Sequence, residues 1–175
     1  MKTNFEDITY LKQGTMRQQA AYAVLQKNKT LLKLKKFTPI LVGTIPINID
    51  IQDSDLDIIC YFSSQQEFED IIKKNFKHEK GFEINTIDVI DGEAVVANFT
   101  VENFQIEIFG QNIPTKQQIA YRHMIIEYDL LNKYGENFRQ QIIQLKRKGY
   151  KTEPAFCKAL GIEGNPYLEL LKCEI

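Results

Sequence analysis

The sequence predicts an α/β (α+β) fold: a mixed β-sheet with flanking helices and a C-terminal helical region. Three observations carry this expectation. Short apolar runs with period-two alternation fill the stretch from Phe37 to Phe109, interrupted by one helical segment. The turn dipeptides Asp91-Gly92 and Glu102-Asn103 separate the last three of those runs. From Pro114 onward only helical patterning remains. The chain has 175 residues, 43% apolar and 26% charged, which suits one domain with its own core. The expected organisation is a single domain over 1–175, with a sheet core over 1–112 and C-terminal helices over 113–175 packed on it.

Taken in order, Thr15 and Gln18 form a capping box that opens a helix through about Asn28, with Met16, Ala20, Ala23, Val24 and Lys27 near one face. Lys29 to Lys36 alternates leucine and lysine and reads as helix or loop. Phe37 to Val42 reads as a buried strand ending at Gly43. Asp55 to Phe62 reads as the next, with Leu56, Ile58, Cys60 and Phe62 on one face and Asp55, Asp57, Ile59 and Tyr61 on the other. Ser64 and Glu67 cap a helix over Gln65 to Asn75 with Phe68, Ile71 and Ile72 as its apolar stripe. Strands over Glu83–Ile90, Glu93–Val101 and Phe104–Phe109 then form an antiparallel meander. Thr115 and Gln118 cap a long helix to about Tyr134, and Asn137 to Lys148 forms another. Thr152, Pro154 and Gly161 frame a short helix, and Asn165-Pro166 opens the last.

Bulk properties narrow the function classes. The net charge of −1 provides no general attraction to polyanions, so any nucleic-acid contact must come from a local patch. Cys60, Cys157 and Cys173 are odd in number and widely spaced, which suggests no disulfide framework, no disulfide-linked partner and no zinc pattern. The N-terminal stretch lacks an apolar signal region and no run is long enough for a membrane helix, so a cytoplasmic protein is expected.

The informative segment runs from Val42 to Ile58. Asp55 and Asp57 sit two apart on a strand, so both carboxylates point the same way, roughly 6.5–7 Å apart along the chain. With apolar Leu56 turned away, they can converge on a divalent cation, and Mg²⁺ suits such hard oxygen ligands. The plainer alternative is a strand whose solvated end happens to carry two acids. Ten residues upstream, Gly43-Thr44 follows the apolar strand; glycine lets backbone approach a ligand, and turn N–H groups with the Thr44 hydroxyl make an anion cradle. No Gly-Lys-Ser/Thr follows, so this is no P-loop. Asp53, Asp55 and Asp57 do not form an EF-hand either, because Ile58 and Ser64 stand where the glycine and the bidentate glutamate belong.

The pair Gly43-Thr44 and Asp55-Leu56-Asp57 together resembles the signature of the nucleotidyltransferase superfamily, in its polymerase beta-like and minimal members. The resemblance spans residues 43–107. It implies a nucleotidyltransferase-like fold and Mg²⁺-dependent transfer from a nucleoside triphosphate to an acceptor of unknown kind, whether small molecule, RNA or protein. It further implies phosphate binding around Gly43, Thr44 and Ser54, and a third carboxylate from a later strand. Glu107, between Ile106 and Ile108, is the favoured third acid beside Asp55 and Asp57 as catalytic and metal-binding residue; Asp88 is its rival. Over its whole length the chain also resembles a bacterial family of nucleotidyltransferase-like proteins known only as a domain of unknown function. Gly-Thr-Ile-Pro-Ile from Gly43, Ser-Asp-Leu-Asp-Ile-Ile-Cys from Ser54 and Tyr-Arg-His-Met-Ile-Ile-Glu-Tyr from Tyr121 carry that likeness. Three departures stand out: Thr44 in place of serine or glycine, Glu107 in place of a more usual aspartate, and no arginine or lysine between Ile45 and Ser54.

Arg122 and His123, early in the long helix, are candidates for phosphate and base contacts; a surface arginine and a half-buried histidine are the alternative. Lys116 is a weaker candidate of the same kind, and His78 reads as solvated. The basic run Lys146-Arg147-Lys148 with Lys151 complements a helix C-terminus closed by Gly149, with an RNA contact as the alternative. Two functions thus remain open: a nucleotidyltransferase, or a non-catalytic nucleotide-binding or protein-interaction module on the same fold.

Overall fold

A computed structural model describes residues 3–173. Its five strands are β1 (Ile40–Val42), β2 (Leu56–Tyr61), β3 (Lys80–Val89), β4 (Gly92–Val101) and β5 (Phe104–Gln111), ordered β1-β2-β5-β4-β3. The β3–β4–β5 meander is antiparallel, as its two tight turns require, and Glu102 takes the left-handed conformation (φ 52°) in the second. β5 returns beside β2 in parallel, and β1 pairs antiparallel with β2. The sheet is therefore mixed, with the β2–β5 pair at its centre.

Six α-helices surround it: α1 (Met16–Lys27), α2 (Thr30–Lys33), α3 (Gln65–Phe76), α4 (Ile119–Arg147), α5 (Thr152–Leu160) and α6 (Pro166–Glu169). Side-chain alternation sorts the core into two layers. Leu56, Ile58 and Cys60 face the α1 and α3 side with Ile106, Ile108, Phe68 and Ile72. Ile40, Val42 and Ile59 face Met124, Leu130, Phe138 and Phe156 of the C-terminal helices. Gly110 has no Cβ because the Phe68 ring lies directly on its backbone. Among the described residues no helix is long and apolar enough to cross a membrane.

Several expectations change in detail. The Thr15–Gln18 capping box forms, but the buried stripe of α1 is Gln18, Ala21, Val24 and Leu25, while Met16 is exposed. The reason is Gln18, whose amide donates to the carbonyls of Ile45 and Pro46 and so turns that face inward. β1 begins only at Ile40, because Phe37 belongs to a 3-10 turn and Thr38 adopts φ 45°. Lys29–Lys36 is helical in its middle as α2. Neither Thr115 nor Gln118 makes a side-chain cap on α4; Gln118 instead donates to the carbonyls of Cys60 and Ile113, tying the helix start to β2. The two helices expected after Pro114 are both present, as the two arms of α4: the run Ile119–Arg147 is interrupted at Gly135 (φ 77°, ψ −165°), a conformation in which glycine is free of strain. Gly161 ends α5 in the left-handed conformation, as its position after the last turn leads one to expect.

The Gly110–Phe68 contact yields a direct test. Gly110→Ala forces a methyl into the ring, and we expect it to lower the unfolding free energy by about 1–3 kcal/mol, read by chemical denaturation.

Candidate active site

The parallel register places Asp57 beside Glu107, on the sheet face that the C-terminal helices cover. Between that face and the helices lies a cavity of about 800 Å³. Its lining includes Gly43, Thr44, Ser54, Asp55, Asp57, Glu107 and His123, so seven of the eight residues expected from the sequence meet in one place. Arg122, the eighth, is exposed and does not line the cavity. Asp88 lies exposed on the edge strand β3, separated from β2 by β4 and β5, and it too is absent from the lining.

Gly43 takes φ 81°, and a Cβ there would overlap Oδ2 of Asp57. The glycine turn and the carboxylate are therefore in direct contact, which explains the residue type physically. The Thr44 hydroxyl donates to Ser54 Oγ at 3.2 Å, and Ser54 Oγ accepts from the Ile51 amide at 2.9 Å. These bonds close the Ile45–Ser54 loop at its base. The loop has no cation of its own, but its carbonyls are gripped by cations from elsewhere. Arg17 of α1 donates to Ser54 O (2.8 Å) and Gln52 O (3.3 Å). Arg139 of α4 donates to the carbonyls of Ile47 and Asn48, and Lys146 to Ile49 O at 3.0 Å. With Ile45, Ile47 and Ile49 all buried, the loop is a fixed shelf.

The acids strain one another. Burial pushes the Asp57 carboxyl up to about 7; the charges of Asp55 and Glu107 add to this, and Lys146 and Lys151 oppose it. Glu107 is raised by burial and by Asp55. Yet among the described residues no three His, Cys, Asp or Glu side chains converge as a ready-made metal cage. Asp57 and Glu107 adjoin in register and Asp55 lines the same cavity, but the three side-chain ends do not converge. Like-charged carboxylates separate unless a cation lies between them. The donor chemistry nevertheless fits Mg²⁺: hard carboxylate oxygens, uncompensated by any close ion pair, around a cavity wide enough for phosphate. Mg²⁺ commonly takes only one or two protein carboxylates and shares the rest of its shell with water and phosphate.

The far wall holds the expected His123 together with three residues that sequence reasoning did not single out for this site, Glu127, Lys146 and Glu153. His123 is 4% exposed; its Nε2 lies 2.9 Å from Tyr167 O and its Nδ1 3.4 Å from Glu153 Oε1. Burial works against the Glu153 carboxylate, but the bonds from His123 and its own backbone hold it below the usual range. Glu127, one turn after His123, is 3% exposed, and burial with the nearby Glu153 charge pushes it up to about 8. Lys146 is 7% exposed and pushed down to about 8 by burial, against Glu127, Asp50, Asp57 and Glu153. An acid on the otherwise apolar stripe of Met124, Leu130 and Leu131 was the available sign of Glu127. Lys146 lay hidden in a run that looks like a solvated helix end. The lining thus carries seven acids (Asp53, Asp55, Asp57, Asp91, Glu107, Glu127, Glu153) and two lysines (Lys146, Lys151).

Residues 23–173 match the family described as a domain of unknown function, DUF4269. The chain belongs to that family. Among curated protein sequences none matches. Of solved structures, the Cid1 poly(U) polymerase with MgGTP bound is similar at 14% identity and a TM-score of 0.57, over 81% of this chain and 48% of that one. A second Cid1 structure, described for its RNA terminal uridylyl transferase activity, gives 13% identity and a TM-score of 0.58 over 83% and 48%. The GLD-2/RNP-8 complex gives 14% identity and a TM-score of 0.53 over 81% and 56%. The DUF4269 chain therefore has the nucleotidyltransferase-like fold and spans about half the length of these structures.

Two tests follow from the geometry. Gly43→Ala displaces Asp57 and strains a left-handed position, and should lower the unfolding free energy by about 1–3 kcal/mol in denaturant titration. Because Asp57 and Glu127 bind protons more tightly in the folded chain, stability should fall as pH rises from about 5 to about 8. Lys146, depressed to about 8, opposes this trend only at higher pH. Thermal midpoints across that window should flatten in Asp57→Asn.

Proposed function

We propose that this protein is a Mg²⁺-dependent nucleotidyltransferase that moves a nucleotidyl group from a nucleoside triphosphate to an acceptor hydroxyl. The observation that carries this reading is the contact of the Gly43 turn with Asp57, with Glu107 in register beside it, all three lining one cavity. It occurs on a fold shared with poly(U) and RNA terminal uridylyl transferases.

In this reading Asp55 and Asp57 hold the metal together with the triphosphate, and Glu107 completes the acid set. The bound cation supplies charge stabilisation to the phosphates. The Gly43-Thr44 turn seats the phosphate tail, with Ser54 fixing the Thr44 hydroxyl behind it. Lys146 and Lys151, whose charge reaches Asp57, supply the cations that the Ile45–Ser54 loop lacks. His123 lines the nucleotide side of the far wall, while exposed Arg122 has no part. The acceptor oxygen attacks the α-phosphorus, pyrophosphate leaves in line, and the hydroxyl proton passes to a site carboxylate such as Glu107. Positioning supplies much of the rate. The acceptor is a small molecule, RNA or protein.

A second reading, a non-catalytic nucleotide-binding or protein-interaction module, is favoured by one observation: among the described residues the carboxylates do not form a preformed cage. Labelled triphosphates with Mg²⁺ over an acceptor panel separate the two. Transfer that falls on the order of 10²-fold or more in Asp55→Ala and in Asp57→Ala supports the enzyme. No transfer by the native chain, with Mg²⁺-dependent nucleotide binding retained and lost in Asp57→Ala, leaves the module.

A further inference from the structure

The part of the cavity lined by α4 and α5, here termed its inner end, carries charges that do not balance. There a single buried lysine, Lys146, faces four carboxylates: Glu127, Asp50, Asp57 and Glu153. Most have other support. Asp50 has its own backbone hydrogen bond and the Arg17 charge, and Glu153 has His123. Asp57 belongs to the metal-binding set of the proposed reaction. Glu127 is different. It is 97% buried within the fold and lines the cavity, yet no hydrogen bond reaches its carboxyl among the described residues, and Lys146 stands outside ion-pair distance. A buried carboxyl without a partner is costly unless a ligand supplies one.

We propose that the inner end of the cavity binds the ammonium group of an amine-bearing small molecule at Glu127, and that this molecule is the acceptor. The inference rests on the nucleotidyl-transfer reading and specifies its substrate class. An ammonium placed between Glu127 and Glu153 supplies the missing donor and brings the inner wall closer to neutrality. The whole lining points the same way: with seven acids against two lysines, it offers no cation to a second polyanion beside the Mg²⁺-bound triphosphate. A nucleic-acid strand needs several phosphate-neutralising cations along its path, and once Lys146 and Lys151 serve the triphosphate none remain in this lining. A hydroxyl on the bound amine attacks the α-phosphorus: the new P–O bond forms, the bond to pyrophosphate breaks with its electron pair, and the hydroxyl proton leaves to a site carboxylate.

The groups facing Glu127 define how binding couples to protons: His123 a turn earlier on α4, Lys146 on its second arm, Glu153 on α5 and, through Lys146, Asp50. Burial holds Glu127 largely protonated at neutral pH, so an arriving ammonium should expel a proton. Calorimetry on the full chain, without nucleotide or Mg²⁺, tests this with spermidine and 1,3-diamino-2-propanol as probes. Glycerol is the neutral counterpart and oligoadenylate the polyanion. We expect both amines to bind and glycerol not to. Heats measured at pH 7 in two buffers of different ionisation enthalpy should reveal proton release. Glu127→Gln, with its far-UV spectrum unchanged, should lose about tenfold or more in amine affinity together with the proton release. Amines that bind no better than glycerol, unchanged affinity in Glu127→Gln, no proton release from the native chain, or oligoadenylate binding that depends on Glu127 each overturn the proposal. Mg²⁺-dependent nucleotide binding and its loss in Asp57→Ala are scored separately, so the two readings fail independently.

Discussion

The parallel pairing of β2 with β5 is the constraint on which everything else in this molecule depends. It fixes Asp57 opposite Glu107, and because strand side chains alternate, it also fixes which face both acids occupy. One residue of slippage would turn Asp57 toward Phe68 and the α3 layer and bring Leu56 to the cavity. That register is strongly specified. Leu56, Ile58 and Cys60 on one face and Ile59 on the other are all buried, so any shift exposes or overpacks both layers. The hydrophobic pattern of two strands thus holds two mutually repelling carboxylates side by side.

That repulsion is a standing cost, and the surroundings show how it is contained. The Ile45–Ser54 loop offers no charge of its own, and its carbonyls face cations that arrive from α1 and from the second arm of α4. These bonds span 37, 92 and 97 residues of sequence. The loop is therefore held from both ends of the chain, and α4 and α5 also line the cavity, so the C-terminal region is part of the candidate site. Lys146 serves twice, as a donor to Ile49 O and as a charge that eases Asp57.

Much of the frame was legible in the sequence, and the physical reasons are local. Asp91-Gly92 and Glu102-Asn103 specify tight turns by backbone conformation alone, so the meander was readable. Asp57 was readable because period-two alternation sets it on the face opposite Leu56 and Ile58, whereas Asp55 lies just before β2 and reaches the same cavity from the end of the loop. Glu107 and Asp88 looked alike, each an acid among apolar neighbours; only the strand order, a tertiary property, puts one at the centre and the other on the edge. The face of α1 was misread because alanines at positions 20, 21 and 23 leave the stripe ambiguous until Gln18 finds the loop carbonyls. Lys146 was misread for a deeper reason. Nothing local distinguishes a lysine that snorkels from one drawn inward; its burial follows from where the Gly135 break sends the second arm of α4.

The same break explains the chemistry of the inner wall. Beyond the Gly135 break, the second arm of α4 carries Lys146 onto the loop, where it donates to Ile49 O and its charge acts on Glu127, Asp50, Asp57 and Glu153. One cation among four acids cannot neutralise them all, so part of the wall holds protons it would surrender to a better partner. In the proposed reaction the Asp55–Asp57 side of the cavity would find that partner in a divalent ion and its phosphates. Among the described residues the inner half has only the charge of Lys146 to set against its acids, and Glu127 lines the cavity where an entering cation can reach it. Charge balance therefore makes the cavity two subsites in series, one that selects hard oxygen and divalent charge and one that selects an amine, with the reacting hydroxyl held between them.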